Sequence, residues 1–129
     1  MSLASDLRTI LTGHTALTDL VGTRISPYLR NRDDVFPAVT FDMPNEELTT
    51  DTAGNVQASL AECNITAHSR TFDECESIGT AILGAIAADS DQGEIKHIMP
   101  GTISRSYDDP FDGSADLVYR WTLDCTLKG

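Results

Sequence analysis

Residues 117–128 read LVYRWTLDCTLK, and the regular alternation within this stretch decides the kind of fold. Apolar side chains occupy every second position, and mostly polar side chains lie between them. This pattern is typical of a β-strand that packs one face on a core and turns the other toward water. The apolar positions are Leu117, Tyr119, Trp121, Leu123, Cys125 and Leu127. We therefore expect this strand to belong to an antiparallel sheet with one covered face.

Two further strands are predicted upstream of it. Residues 38–43 alternate between apolar and polar side chains, and alternation resumes over residues 56–68. The apolar phase of the second segment changes near Leu60, which predicts a β-bulge there because one extra residue exchanges the two faces of a strand. The intervening residues 44–55 are either a long hairpin arm or a mobile loop. Shorter extended segments are predicted at 24–29, 94–99 and 102–107.

A long helix is predicted over residues 72–87. Thr71 and Glu74 have the spacing of a capping box, in which each side chain bonds the backbone N–H group of the other residue. The apolar stripe of this helix consists of Cys75, Ile78, Ile82 and Ile86. A first short helix is expected over residues 2–12. A second short helix is expected with Thr15 as N-cap, with Leu17, Leu20 and Val21 facing inward, and with Gly22 as its end.

The order of these elements predicts the fold class. Two short helices precede a group of strands, and one long helix separates that group from the last strands. A repeating βαβ pattern is absent, so the expected fold is α+β, an antiparallel β-sheet with helices packed on one face. The length of 129 residues suits one domain that spans the whole chain, residues 1–129.

The charge of the chain restricts its partners. Twenty acidic and nine basic residues give a formal net charge of −11. Such a surface is poorly suited to gripping nucleic acid or an anionic membrane, since both interactions rely on basic side chains. No apolar window is long enough to span a bilayer, and the N-terminus lacks the pattern of a secretory signal, so no membrane contact is expected. The three cysteines form no C-x-x-C pair and are expected to be buried, reduced thiols of a cytoplasmic product.

Catalytic and metal-binding patterns are weak. The three histidines, His14, His68 and His97, have no metal-ligand spacing, and no P-loop or nucleophile elbow occurs. Residues 89–94 begin like a calcium loop, but the glycine comes one residue early and Pro100 stands where the closing glutamate belongs. The acids Asp108, Asp109, Asp112 and Asp116 are interpreted as a hydrated loop. We expect neither an enzyme nor a bound cofactor or metal.

Several segments, taken in order, resemble one protein family. The most characteristic is the pattern Leu-x-x-Leu-Val-Gly-x-Arg-Ile at residues 17–25, followed by Pro-x-Val-x-Phe at residues 37–41. The helix start at 71–75 and the terminal strand at 119–124 continue the match. The chain resembles, over nearly its whole length, the tail completion proteins of long-tailed bacteriophages, which are also called tail terminators or head–tail joining proteins.

This resemblance implies a structural virion protein of the tail–neck region, made in the cytoplasm of a bacterial host. It implies a homo-oligomer, a hexameric ring, at the head-proximal end of the tail tube. The ring would stop polymerisation of the tail tube protein and join the tail to a head-closure (stopper) or connector protein, while DNA passes through without specific binding. The alternatives are another neck or tail-tube component and a small acidic DNA-mimic or binding module.

Two segments are expected to form the contacts of such an assembly, because unpaired strands and long loops can extend a sheet into a neighbouring molecule. The candidate interface residues are Glu46, Glu47, Leu48, Asp51, Asn55, Asp108, Asp109, Phe111 and Asp112. Asp33 and Asp34 are the candidate acids facing the bore of the ring. Six copies at −11 each would carry −66, and acids that line the bore would let DNA slide without being held.

Overall fold

The computed structural model describes residues 3–22, 24–27, 37–50, 52–54, 56–88, 97–108 and 118–128. The elements in chain order are α1 (Leu3–Thr12), α2 (Thr15–Val21), β1 (Ile25–Pro27), β2 (Ala38–Thr50), β3 (Val56–Ser69), α3 (Phe72–Ala88), β4 (His97–Asp108) and β5 (Val118–Lys128). The five strands form one sheet in the order β1-β2-β3-β5-β4. The α+β class is confirmed. The sheet is mixed rather than wholly antiparallel, because β1 runs parallel to β2.

The alternation in β5 corresponds to one buried face, as predicted. Trp121, Leu123 and Leu127 are at most 2% exposed. The matching face of β3 is buried as well, and α3 packs across both strands with its predicted stripe. Each fully buried Leu or Ile side chain contributes about 1.5–3 kcal/mol relative to remaining exposed, so this layer of helix on sheet dominates the stability. Helices α1 and α2 pack against α3 and complete the same core.

The sequence pattern at residues 17–25 and 37–41 has a structural explanation. Ile25 pairs with Val39 and Pro27 with Phe41, so β1 and the start of β2 lie side by side. The Nε of Arg24 donates a hydrogen bond to the carbonyl oxygen of Pro37 at 2.6 Å. The Val39 N–H donates in turn to the Arg24 carbonyl at 2.9 Å. The two halves of the pattern therefore hold each other in place.

Helix α2 begins one residue earlier than the sequence suggested. The N-cap is His14, whose side chain makes no capping bond, and Thr15 is already helical, so its prediction as N-cap is wrong. Leu17 and Val21 are buried, but Leu20 is 37% exposed, which contradicts the prediction that it faces inward. Leu17 and Val21 are four residues apart and therefore share the buried face of this two-turn helix. Leu20 lies at the border of that face and is partly exposed. Gly22 ends the helix as predicted, with φ of 61° and an N–H bond to the Thr18 carbonyl.

The capping box of α3 forms through an additional residue. The Glu74 N–H donates to the Thr71 Oγ at 3.3 Å, so Thr71 is the predicted N-cap. The Glu74 carboxylate, however, accepts from the Ser69 hydroxyl at 2.5 Å rather than from the Thr71 backbone. Ser69 also accepts the Thr71 N–H at 3.3 Å. Ser69 is fully buried and relays the bond that the carboxylate makes directly in the simple motif.

The predicted β-bulge near Leu60 is wrong in position. Leu60 pairs regularly with Glu47, and the register shifts instead between Asp42 and Asn45 on β2. Three steps along β2 there correspond to two steps along β3, so β2 carries the extra residue at Met43–Pro44. Proline is well tolerated at such a place because it has no N–H to donate to the ladder. A second shift near the end of the hairpin places an extra residue on β3.

The two short strands predicted at 94–99 and 102–107 are one strand. Residues 94–96 lie outside the described residues, and β4 continues through Pro100 and Gly101. A register shift between Pro100 and Ile103 accommodates the proline, since β4 is the last strand in the sheet order. At Gly101 a Cβ would lie 3.0 Å from the Asp124 carbonyl oxygen, so the bulge brings the two backbones close together.

The cysteines are free, buried thiols, as predicted. Cys63 and Cys125 lie directly opposite each other on β3 and β5. A hydrogen bond to Cys125, together with burial, raises the pKa of Cys63 above its ordinary value. Burial and the nearby Glu76 carboxylate raise the pKa of Cys75 to about 11. The Cys75 S–H group also lies 3.5 Å from the Ala67 carbonyl oxygen.

We predict that Gly79→Ala destabilises the fold. A Cβ at Gly79 would lie 2.4 Å from the Trp121 indole, closer than packed atoms approach. Overpacking of this kind costs about 1–3 kcal/mol, so urea unfolding should show a free energy of unfolding lower by about that amount. Gly84→Ala on the same helix is the matched control. Its Cβ would meet the half-buried His14 ring at 3.2 Å, and the gain in helix propensity of about 0.8–1.0 kcal/mol should leave stability unchanged or slightly raised. Equal losses in both variants would contradict the packing argument.

We also predict that none of the three thiols reacts readily in the folded protein. The thiolate is the reactive form, and a pKa of about 11 for Cys75 keeps that thiol protonated at pH 8. The reactivity of Cys75 should rise only as the pH approaches that value, whereas burial keeps the reagent away from Cys63 and Cys125. Titration with a disulfide reagent at pH 8 should detect all three thiols in urea and well under one equivalent without it. Rapid labelling of the folded chain would disprove the burial.

Candidate assembly interface

The β2–β3 hairpin extends beyond the rest of the sheet. Leu60 pairs with Glu47 on one side and with Lys128, the last residue of β5, on the other. Past this point the described residues of β2 and β3 pair with each other alone, through Leu48–Ser59, Thr49–Ala58 and Thr50–Val56. We call residues 48–59 the arm. Of the two interpretations of residues 44–55, the hairpin is therefore confirmed.

The arm and its base expose two leucines and lie in an acidic segment of the chain. Leu48 is 57% exposed and lies on the helix side of the sheet, because the bulge at Met43–Pro44 shifts the facing of every later residue of β2. Leu60, at the base of the arm, is 40% exposed and lies on the opposite face together with Glu47. Residues 44–55 contain three acids and no lysine or arginine. A two-stranded ribbon is only marginally stable alone, so contacts with a neighbouring molecule would stabilise the arm.

An aromatic groove lies at the other end of the sheet. It is an open cavity of about 160 Å³ between the first turn of α3 and the adjoining ends of β4 and β5. The Phe72 and Tyr119 rings meet edge to face with centroids 6.1 Å apart, and the Tyr107 and Tyr119 centroids are 6.4 Å apart. Phe72 is 51% and Tyr107 62% exposed. The residues lining the groove are Phe72, Cys75, Glu76, Arg105, Ser106, Tyr107, Tyr119, Arg120 and Trp121.

Two arginines and one carboxylate are among the residues that line this groove, with Arg105 and Glu76 on the helix side of the sheet and Arg120 on its polar side. The Arg105 guanidinium binds the Glu76 carboxylate through two bonds, at 2.5 and 3.1 Å. This contact lowers the pKa of Glu76 and raises that of Arg105, although an exposed pair contributes little to stability. Arg120 Nε donates to the Ser106 hydroxyl at 3.3 Å. The charged groups that line the groove therefore sum to +1 in a chain of −11.

The arm and the groove lie at opposite ends of the strands. The β3–β5 register places Lys128 at the arm end and Tyr119, which pairs with Ser69, at the groove end. The nine residue steps from Tyr119 to Lys128 correspond to about 31 Å at 3.4 Å per residue. The arm is also on the β2 side of the sheet, whereas the groove is beside β4, the edge strand. The arm of a molecule is therefore too far from its own groove to reach it.

The sheet face opposite the helices is polar. His68 bonds the Thr40 hydroxyl at 2.9 Å, and the Thr66 and Thr122 hydroxyls are 3.2 Å apart. Asp42, Asn64 and Asp124 lie side by side on three adjacent strands. Glu62 and Asp124 on this face are exposed. Within the part of the chain that the structure describes, the charged residues of this face are mostly acids.

The structure places some of the predicted interface residues and leaves others outside its described ranges. Glu46, Glu47 and Leu48 lie in β2 at the base of the arm, and Asp108 ends β4 directly after Tyr107 of the groove. The remaining candidates, Asp51, Asn55, Asp109, Phe111, Asp112, Asp33 and Asp34, lie outside the described residues. The sequence offered no sign of the groove, because its aromatic residues come from α3, β4 and β5 and meet through strand register.

Metal and membrane sites receive no support from the described residues. In the described part of the chain, no group of three His, Cys, Asp or Glu side chains is arranged to hold a metal ion. No described helix is long and apolar enough to cross a bilayer.

Comparison with known proteins agrees with the fold. The family model of the tail completion protein gp17 matches residues 5–127. A chain of the virion of a native gene transfer agent particle has a similar structure, with a TM-score of 0.72 and 16% sequence identity. That match covers 98% of this chain and 93% of the other. None of the curated protein sequences compared matches the chain. Because the family model covers nearly the whole chain, this protein belongs to the tail completion protein gp17 family and is a structural protein of the bacteriophage virion.

Proposed function

We propose that the protein forms a closed ring at the head-proximal end of a tail tube, stops the tube from growing and joins it to a head-closure or connector protein. The placement of its two uncovered surfaces is the observation that carries this proposal. The arm and the groove lie at opposite ends of the strands, the arm on β2 and β3 and the groove beside β4 at the edge of the sheet. Such surfaces are suited to head-to-tail contacts, and head-to-tail contacts close into a ring when the rotation between neighbours permits.

In a closed ring of this kind, the arm and the groove of every subunit would both be occupied by neighbouring subunits. Each copy contributes one arm and one β4 strand, which is the edge of the sheet in the part of the chain that the structure describes, so a closed ring would cover both. The remaining surfaces of the ring are its two ends and its bore. One end would then bind the last ring of tube protein and the other the head-closure protein. Growth stops when the second end offers no further site for tube protein.

The polar face of the sheet is the best candidate for the bore among the described residues. It carries Asp42, Glu62 and Asp124 beside rows of threonine, and six copies would surround a passing DNA molecule with carboxylates. Like charges repel over about 8–10 Å at physiological salt, so DNA would pass without being held. Asp33 and Asp34, which lie outside the described residues, remain proposed as acids that face the bore.

We predict that the purified protein assembles into rings of six copies, either alone or on tail-tube protein. Native mass spectrometry measures the copy number, and electron microscopy of tubes polymerised with and without the protein measures their length. Capped tubes of limited length are expected. Stacked rings that extend without limit would indicate a tube component. A monomer or dimer that binds a basic partner and ignores tubes would indicate the acidic binding module.

Shortening the arm should abolish ring formation and leave the fold intact. Glu47 and Leu60 are direct cross-strand partners, so an Asn-Gly dipeptide that replaces residues 48–59 can close the hairpin between them with a type I′ turn. The thermal midpoint and far-ultraviolet circular dichroism should remain close to those of the parent protein, while native mass spectrometry shows monomers. Normal rings from the shortened chain would rule out the arm as a lateral contact.

A further inference from the structure

We infer that the aromatic groove is the receptor for the arm of a second copy of this chain, with Leu48 seated in the groove and Glu47 beside Arg120. This inference rests on the proposed ring and adds to it the identity of the two surfaces that join. The observations behind it are the size of the groove, the charge of the two surfaces and the side of the sheet on which each residue lies.

The groove has the size and chemistry to take an aliphatic side chain. Its volume is about 160 Å³, and Phe72, Tyr107 and Tyr119 form its aromatic walls. An apolar cavity of about 150 Å³ accepts a benzene molecule, so a leucine side chain fits a space of this size. Leu48 is the most exposed of the large aliphatic side chains in the described residues. Burying it would remove an exposed apolar side chain from water, which favours association.

The charges of the two surfaces are complementary. The residues that line the groove include Arg105, Arg120 and one carboxylate, that of Glu76, which binds Arg105. The arm and its base carry acids without a basic residue between Pro44 and Asn55. A protein of charge −11 would otherwise repel its own copies, so a contact through its arginines is the favourable one.

The faces of the sheet also match. Leu48 lies on the helix side of the arm, and Tyr107 lies on the helix side of β4, since it pairs with Tyr119 two residues before the buried Trp121. Glu47 and Arg120 lie on the opposite, polar side of their strands. An arm that approaches the β4 edge as an added strand therefore brings Leu48 to the aromatic walls and Glu47 to Arg120 at the same time.

Disulfide cross-linking tests this contact directly. Leu48→Cys and Tyr107→Cys are introduced into one chain that also carries Cys75→Ala, because Cys75 lines the groove, whereas Cys63 and Cys125 are buried outside it. Oxidation with diamide, which takes two electrons and two protons from each pair of thiols, should give a ladder of covalent oligomers that ends at the full ring. Each single variant alone should give no cross-link. A mixture of the two single variants should give dimers.

Two outcomes of the cross-linking would overturn the inference. Dimers formed by Leu48→Cys alone would mean that two arms meet about a twofold axis. Intact rings of the double variant without any cross-link would mean that the arm binds elsewhere, while the proposed ring itself stands. A parent protein that stays monomeric even on tail-tube protein would instead refute the proposed function, so the two failures are distinguishable.

Exchange of charges and a paired truncation provide an independent measurement. Glu47→Arg and Arg120→Glu should each raise the protein concentration at which half of the rings dissociate, and the double variant should restore it. Leu48→Ala should raise that concentration about tenfold or more, which corresponds to 1.4 kcal/mol or more per contact. Leu60→Ala, on the opposite face at the base of the arm, is the matched control and should change it little. The assignment of the groove as the receptor for the arm would be overturned if Leu48→Ala and Leu60→Ala raised the dissociation concentration equally. It would also be overturned if the Glu47→Arg, Arg120→Glu double variant did not restore that concentration.

Discussion

The contact between α3 and the paired strands β3 and β5 is the interaction on which the rest of the structure depends. Ten consecutive residue pairs join the two strands, and the alternating apolar residues of both form the floor on which α3 lies. The helix approaches so closely that Gly79 sits against the Trp121 indole with no space for a Cβ. The other elements are arranged around this layer: α1 and α2 pack on α3, and β2 and β4 extend the sheet on either side.

The central layer ends before the hairpin does, and this difference in length produces the arm. Strand β5 stops opposite Leu60, whereas β2 and β3 continue beyond it. The bulge at Met43–Pro44 then determines which side chains the arm presents on each side, because one extra residue exchanges the faces of β2. Without it, Leu48 would lie on the polar side of the sheet. A local irregularity in a strand thus selects the residue that faces the helix side of the arm.

The same layer leaves β4 partly uncovered. Helix α3 packs mainly on β3 and β5, so the residues of β4 near its end remain accessible beside the first turn of the helix. An uncovered edge strand and an apolar groove are hazards for a protein that functions alone, since both promote association. They are useful in a component that is built into a larger particle, where neighbouring subunits cover them. The net charge of −11 disfavours contacts between like-charged surfaces of two copies.

The sequence alone determined the elements whose signals are local. Strict alternation in residues 117–128 and the stripe beginning at Cys75 follow from periods of 2 and 3.6 residues, and both were predicted correctly together with the α+β class. The bulge position, the continuity of β4 through Pro100 and the groove were missed, because each depends on which strand lies alongside. Register brings Tyr107 to Tyr119 and ends β5 opposite Leu60, and no pattern within one segment encodes a pairing with another. The tertiary structure therefore decided where the molecule can meet its neighbours, since that depends on which apolar side chains its own packing leaves uncovered.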